Sequence, residues 1–242
     1  MKNLVLGSLI AALASQAAGC IIQSNDDTYV SASWSIKHLA NNTVIPCPPG
    51  FNTAALYDQP VNPDGTLVGS PTIDLFDCAA NGGTSGPLAP GLYLSWLEIA
   101  NDNDTQVYAK SLSTPIDTTT GDQPVGFSIL EDGGYFQMQW LLKGATSNST
   151  LSCAQAGVAS NGGSAGIQLQ AFVSGSNTSA SDIFNCEDNY GVTDPYLSGS
   201  YDVLVDAINP NPVGSAPTIT SRIDAPNKVT NLGTVTIPIN GM

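Results

Sequence analysis

Apolar and polar residues alternate with a period of two along much of this chain. Val30, Ala32, Trp34 and Ile36 alternate with Ser31, Ser33 and Ser35. Phe136, Met138, Trp140 and Leu142 alternate with Gln137 and Gln139. A side chain that changes face at every residue belongs to a strand with one buried face. The same reading predicts strands over 29–36, 135–142, 92–99, 201–208 and 167–173, the last with a counterpart near 54–57. Residues 107–112, 125–130, 218–223 and 235–239 complete the set. No stretch shows a convincing amphipathic helical period. Frequent turns, supported by 24 Gly and 16 Pro, separate the strands.

The strands fall into two matching series. Asp74-Leu75-Phe76-Asp77-Cys78 reappears as Asp182-Ile183-Phe184-Asn185-Cys186, and the match runs on without a gap at an offset of 108. Asn81, Gly83, Pro87, Gly91, Tyr93 and Asn101 meet Asn189, Gly191, Pro195, Gly199, Tyr201 and Asn209. Upstream the offset is 106, so that Tyr29, Trp34, Lys37, Asn42 and Cys47 meet Tyr135, Trp140, Lys143, Asn148 and Cys153. Self-similarity at this spacing implies one structural unit present twice. We place the units at 28–131 and 134–242, with 131–134 as a short turn-forming linker. About six or seven short strands in about 105 residues favour an all-β fold of two tandem antiparallel β-sandwich domains.

The N-terminus carries an address. A short positive start at Lys2, an apolar run over 4–13 and the small residues that follow make 1–19 a secretory signal peptide. Ala17-Ala18-Gly19-Cys20 then resembles the lipobox of bacterial lipoproteins. That resemblance implies acylation of Cys20, with residues 20–27 linking the first unit to the membrane. The alternative is ordinary cleavage, after Ala14 or Gly19, and a secreted chain. Five cysteines are an odd number for an exported protein, and lipid on Cys20 leaves four. In an oxidising compartment only one pairing treats both copies alike: Cys47 with Cys78, and Cys153 with Cys186.

The turn Leu88-Ala89-Pro90-Gly91-Leu92-Tyr93, kept in part as Gly199-Ser200-Tyr201, resembles one common in immunoglobulin-like and prealbumin-like sandwiches. The arrangement as a whole is similar to bacterial lipoproteins with duplicated domains of that kind. The resemblance leaves the two topologies open and implies no activity.

Charge narrows the partners. Six Lys plus Arg against 20 Asp plus Glu give a formal net charge of −14. Nucleic-acid binding and docking on anionic lipid both need a basic patch, so both are disfavoured. There is no GxSxG or HExxH motif, and His38 is the only histidine. No cofactor, catalytic residue or metal site is therefore assigned. The repeated acids Asp74 and Asp182 fit hydrogen bonds to turn amides better than glycosidase chemistry. The oxygen-rich stretches 25–27, 101–104 and 187–189 lack EF-hand spacing and a ligand set shared between the copies. Asn41, Asn103, Asn148 and Asn177 lie in Asn-x-Ser/Thr sequons, which matter only in a eukaryotic host.

One strand breaks the symmetry. Tyr93, Leu97 and Ile99 share a parity with the core, while Leu92, Leu94, Trp96 and Glu98 face away. The second copy has Ser200, Asp202, Leu204 and Asp206 on that outer face. Leu94 and Trp96 are thus the candidate binding surface, whereas Trp34 and Trp140 are expected in the cores. The function expected is that of a non-enzymatic, lipid-anchored cell-envelope protein with a structural or adhesive role towards protein or glycan. A carbohydrate-binding module is the alternative, and a carboxylate-dependent hydrolase ranks last.

Overall fold

A computed structural model describes residues 27–103, 105–159 and 165–242. The expected signal peptide, Cys20 and most of the 20–27 linker lie outside the described residues.

The described residues are almost entirely β. The first half contains β1 (Val30–Lys37), β2 (Val44–Ile45), β3 (Thr53–Val61), β4 (Thr72–Asp77), β5 (Gly82–Thr84), β6 (Leu92–Ala100), β7 (Val107–Lys110), β8 (Thr114–Asp117) and β9 (Gln123–Leu130). One layer has β1 at its centre, paired to β2, β5 and β9. The other runs β4-β3-β6, with β7 and β8 both on the far side of β6.

The second half contains β10 (Gly133–Gly144), β11 (Gly166–Val173), β12 (Ser179–Phe184), β13 (Tyr190–Val192), β14 (Tyr196–Leu197), β15 (Gly199–Asn209), β16 (Asn211–Ser215), β17 (Ile219–Ile223) and β18 (Lys228–Ile239). It repeats the arrangement, with β10 paired to β13, β14 and β18, and β12-β11-β15 extended by β16 and β17. A single pairing, Gly214 with Ile239, joins its two layers at one edge.

The pairing is not antiparallel throughout. The first and last strands of each half run parallel, β1 with β9 and β10 with β18. The chain crosses to the opposite layer between them, and the last strand returns in the direction of the first.

Each half closes on its own core. Trp34, Leu56, Leu97, Ile99 and Ile129 belong to the first. Phe136, Trp140, Leu169, Val205 and Ile237 belong to the second. Residues matched in sequence do the same work in both. The indole N–H of Trp34 donates to the Cys78 carbonyl at 2.9 Å, and that of Trp140 donates to Cys186 at 2.9 Å. Phe76 and Phe184 lie against these indoles, with ring centroids 5.8 Å apart in both cases. Gly83 and Gly191 pass so close to those phenyl rings that a Cβ would lie 2.4 Å from a ring carbon at Gly83 and 2.5 Å at Gly191. The bridges Cys47–Cys78 and Cys153–Cys186 are formed, as the cysteine arithmetic expected. Each second cysteine opens a short 3-10 turn capped by a left-handed Asn, Asn81 or Asn189.

The junction differs from the sequence reading. Gly133 and Gly134 are the opening residues of β10, not linker. A Cβ at Gly134 would run into the Lys228 carbonyl, and one at Gly133 into that of Tyr196. Close packing, rather than a turn, accounts for this glycine pair.

Two residues tie the halves together. Asp132 accepts from the Leu39 amide at 2.5 Å and the Ala40 amide at 3.3 Å. Asn227, almost fully buried, accepts from the Leu130 amide at 2.8 Å and donates to the Lys110 carbonyl at 2.7 Å.

Candidate functional site

The outward face of the β4-β3-β6-β7 sheet carries the asymmetric residues. Strand register sets them in rows. Ile73 lies opposite Tyr57, and Tyr57 opposite Trp96. In the next row Leu75, Ala55, Glu98 and Lys110 follow one another across four strands. Leu94 stands in the row on the other side of Trp96, between Gln59 and Pro115.

Trp96 is half-buried and stands outside the first core, on the opposite side of β6 from Tyr93. Its ring stacks on Tyr57 with centroids 4.9 Å apart and planes 6° from parallel. The Lys110 ammonium lies 4.0 Å from the indole centroid. Tyr57 comes from the strand on one side of β6 and Lys110 from the strand on the other, so the indole is held between them. Glu98 closes the group, accepting from the indole N–H at 2.9 Å and lying 3.4 Å from the Lys110 ammonium. A cation over an indole face is attractive through the ring quadrupole, so the cluster is pre-organised. Ile73 and Leu75, 48% and 61% exposed, extend the apolar surface to the sheet edge. The matching row in the second half is Ser181, Gln170 and Leu204. Neither Leu94 nor Trp96 lines the groove between the halves, although Lys110 does.

The other sequence candidates sit elsewhere. His38 lies in a polar turn 3.7 Å from Asp132. Asp182 accepts from the Asp194 amide at 3.2 Å, the turn bond expected, and also from the Tyr196 hydroxyl at 3.0 Å. Burial, and then the Asp182 charge, push the Tyr196 phenol far above its ordinary range. In the first half Leu88 stands where Tyr196 would be, and Asp74 Oδ2 is buried without a partner. Asn101 turns inward on its own loop, accepting from the Thr105 amide at 2.9 Å and the Gln106 amide at 3.2 Å. Among the described residues no three His, Cys, Asp or Glu side chains gather as metal ligands.

Sequence reasoning missed one acid. Asp58 is fully buried on the inward face of β3. The Ser95 hydroxyl donates to its Oδ1, and Oδ2 has no partner. Burial pushes this carboxyl above the usual carboxylate range and the Asp74 charge adds to the rise, while the Ser95 bond opposes it. The second half replaces this pair with Ala171 and Val203. The signal was present, because Asp58 falls on the parity of Ala54 and Leu56. Asp58 is enclosed by the sandwich, while Asp74, opposite Leu56 on the neighbouring strand β4, is half-buried.

No family model matches this chain, and no curated protein matches it. Among solved structures it is similar to GBS52, the minor pilin of Streptococcus agalactiae, at 9% identity over 89% of this chain and 98% of that one, with a TM-score of 0.31. The Bacillus anthracis TIE protein is matched at 12% identity and a TM-score of 0.29, over 87% of this chain. This chain spans 34% of that protein's length. The fimbrial anchor protein Mfa2 of Porphyromonas gingivalis is matched at 10% identity over 80% of this chain and 82% of that one, with a TM-score of 0.26.

Proposed function

We propose that this is a non-enzymatic cell-surface protein of structural or adhesive type, held to a membrane through lipid on Cys20. Its binding surface is the strip formed by Ile73, Tyr57, Trp96 and Leu94, and its partner is a protein. One observation carries this reading: the apolar and aromatic row Ile73, Tyr57 and Trp96 of the first half is replaced by Ser181, Gln170 and Leu204 in the second. Core packing would have kept both alike, so the difference supports a contact made by one half only.

Protein is favoured over glycan by how Trp96 is held. A sugar ring stacks on an open aromatic face, and here Tyr57 and Lys110 occupy both faces. What remains is the indole edge within an aliphatic surround.

The test sets the mature chain and its Ile73→Glu/Leu75→Glu variant against a protein array and a glycan array. Signal on proteins, lost in the variant at unchanged melting temperature, is the expected result. Binding to glycans that survives in the variant overturns it. Mass spectrometry of the membrane fraction tests the anchor separately, by acyl mass on Cys20 that disappears in Cys20→Ser.

A further inference from the structure

A groove of about 630 Å³ runs between the halves. Its floor is the outward side of the β13-β10-β18 sheet, where Gln137 lies between Val192 and Asn231. Its wall is the free edge of β7 with the 111–113 segment. Three large exposed apolar side chains collect here: Val107 at 49%, Tyr190 at 45% and Val229 at 40%.

The charge of the groove runs against that of the protein. The chain has six basic residues and a net charge of −14, yet Lys110 and Lys228 both line this groove and no acid does. Lys228 is exposed and enters no salt bridge among the described residues. The walls are preformed, because Asn227 locks the Lys110 carbonyl to the turn that leads into Lys228.

We infer that this groove binds an extended peptide in which acidic and apolar side chains alternate. The free Lys228 ammonium matches a carboxylate, the Lys110 ammonium, 3.4 Å from Glu98, can share a second, and the valines and leucine match aliphatic side chains. An extended peptide presents both at intervals of two residues. An acidic glycan fits less well. It needs many hydrogen-bond partners, and two of the polar groups here, Ser111 Oγ and the Asn227 carboxamide, are already engaged. None of Ile73, Tyr57, Trp96 and Leu94 lines this site, which touches that strip only through Lys110 and does not rest on the strip's proposed role.

Lys110 supplies a reporter. Its ammonium touches the Trp96 ring, so a carboxylate that draws on Lys110 alters the surroundings of that indole. The probe is a labelled hexapeptide alternating valine and glutamate, titrated into the full chain by fluorescence anisotropy and by tryptophan emission. Valine–glutamine and valine–lysine hexapeptides and a galacturonate hexamer are the comparisons. Saturable binding of the glutamate peptide is expected, about tenfold or more tighter than the glutamine peptide, since charge-assisted bonds are the stronger class. Lys228→Glu should weaken it about tenfold, Lys228→Arg should preserve it, and the emission change should vanish in Lys110→Met. Absence of binding, equal binding of the glutamine peptide, or preference for the galacturonate overturns the inference. So does a loss caused by Ile73→Glu/Leu75→Glu in place of Lys228→Glu, which would assign the peptide to the outer strip.

Discussion

The indole N–H of Trp34 donates to the carbonyl of Cys78 at 2.9 Å, and so couples a core side chain to the disulfide that closes the first sandwich. Trp140 and Cys186 repeat the contact at the same distance. Both indoles are only 4% exposed. Trp34→Ala or Trp140→Ala should therefore cost about 3–5 kcal/mol, from the cavity and the orphaned carbonyl together. Trp96→Ala should cost clearly less, because its ring lies on the outer face. Urea denaturation of the three variants compares them directly.

Removal of a bridge should be comparably severe. Cys153 and Cys186 enclose a separation of 33 residues, and Cys47 and Cys78 one of 31. On the loop-entropy model each contributes about 3–4 kcal/mol. Cys153→Ser/Cys186→Ser should lower the stability of the second half by that amount. A non-reducing peptide map of the unaltered chain should contain no link between the halves.

Asp58 should make the first half less stable as pH rises. Its folded pKa lies above the unfolded value of 3.8. The stability linked to the protonated acid is fully present below that value and is lost as pH climbs through the folded pKa. Asp58→Asn keeps the shape without the charge and should flatten this slope. Asp58→Ala/Ser95→Val, which copies the second half, should raise stability at neutral pH. Denaturant midpoints across pH 3.5–7.5, an interval of about four units around and above the carboxylate range, measure both; an unchanged slope in Asp58→Asn would sink the assignment.

Asn227 should set the angle between the halves. Its side chain bonds both Leu130 and Lys110, and its backbone is left-handed at φ 50°. Asn227→Gly keeps the backbone while stranding a buried amide and carbonyl, at a cost of about 1–3 kcal/mol. Small-angle scattering should then report a wider spread of interdomain distances, with each core still folded.

Much of the fold was legible in the sequence, for reasons visible in particular residues. Trp34 and Trp140 declared buried strands by parity, and Asp74-Leu75-Phe76-Asp77-Cys78 declared its repeat. Period-two alternation is a local property, since a half-buried strand needs it whatever its neighbours are. The cysteine pairs followed from the same duplication. The outer position of Trp96 was also local, because Tyr93 fixes the parity of its strand.

Three features were decided only by tertiary structure. The parallel pairing of β1 with β9 depends on the route of the whole half, which no window of sequence contains. The contacts of Asn227 span 97 and 117 residues, and an asparagine before a lysine in a turn looks like any other. The groove gains its two lysines because Lys110 and Lys228, far apart in the chain, are brought to one cleft whose lining includes no acid. Alternation says which side of its own strand a residue occupies. Only the packing of strand against strand, and half against half, decides what stands opposite.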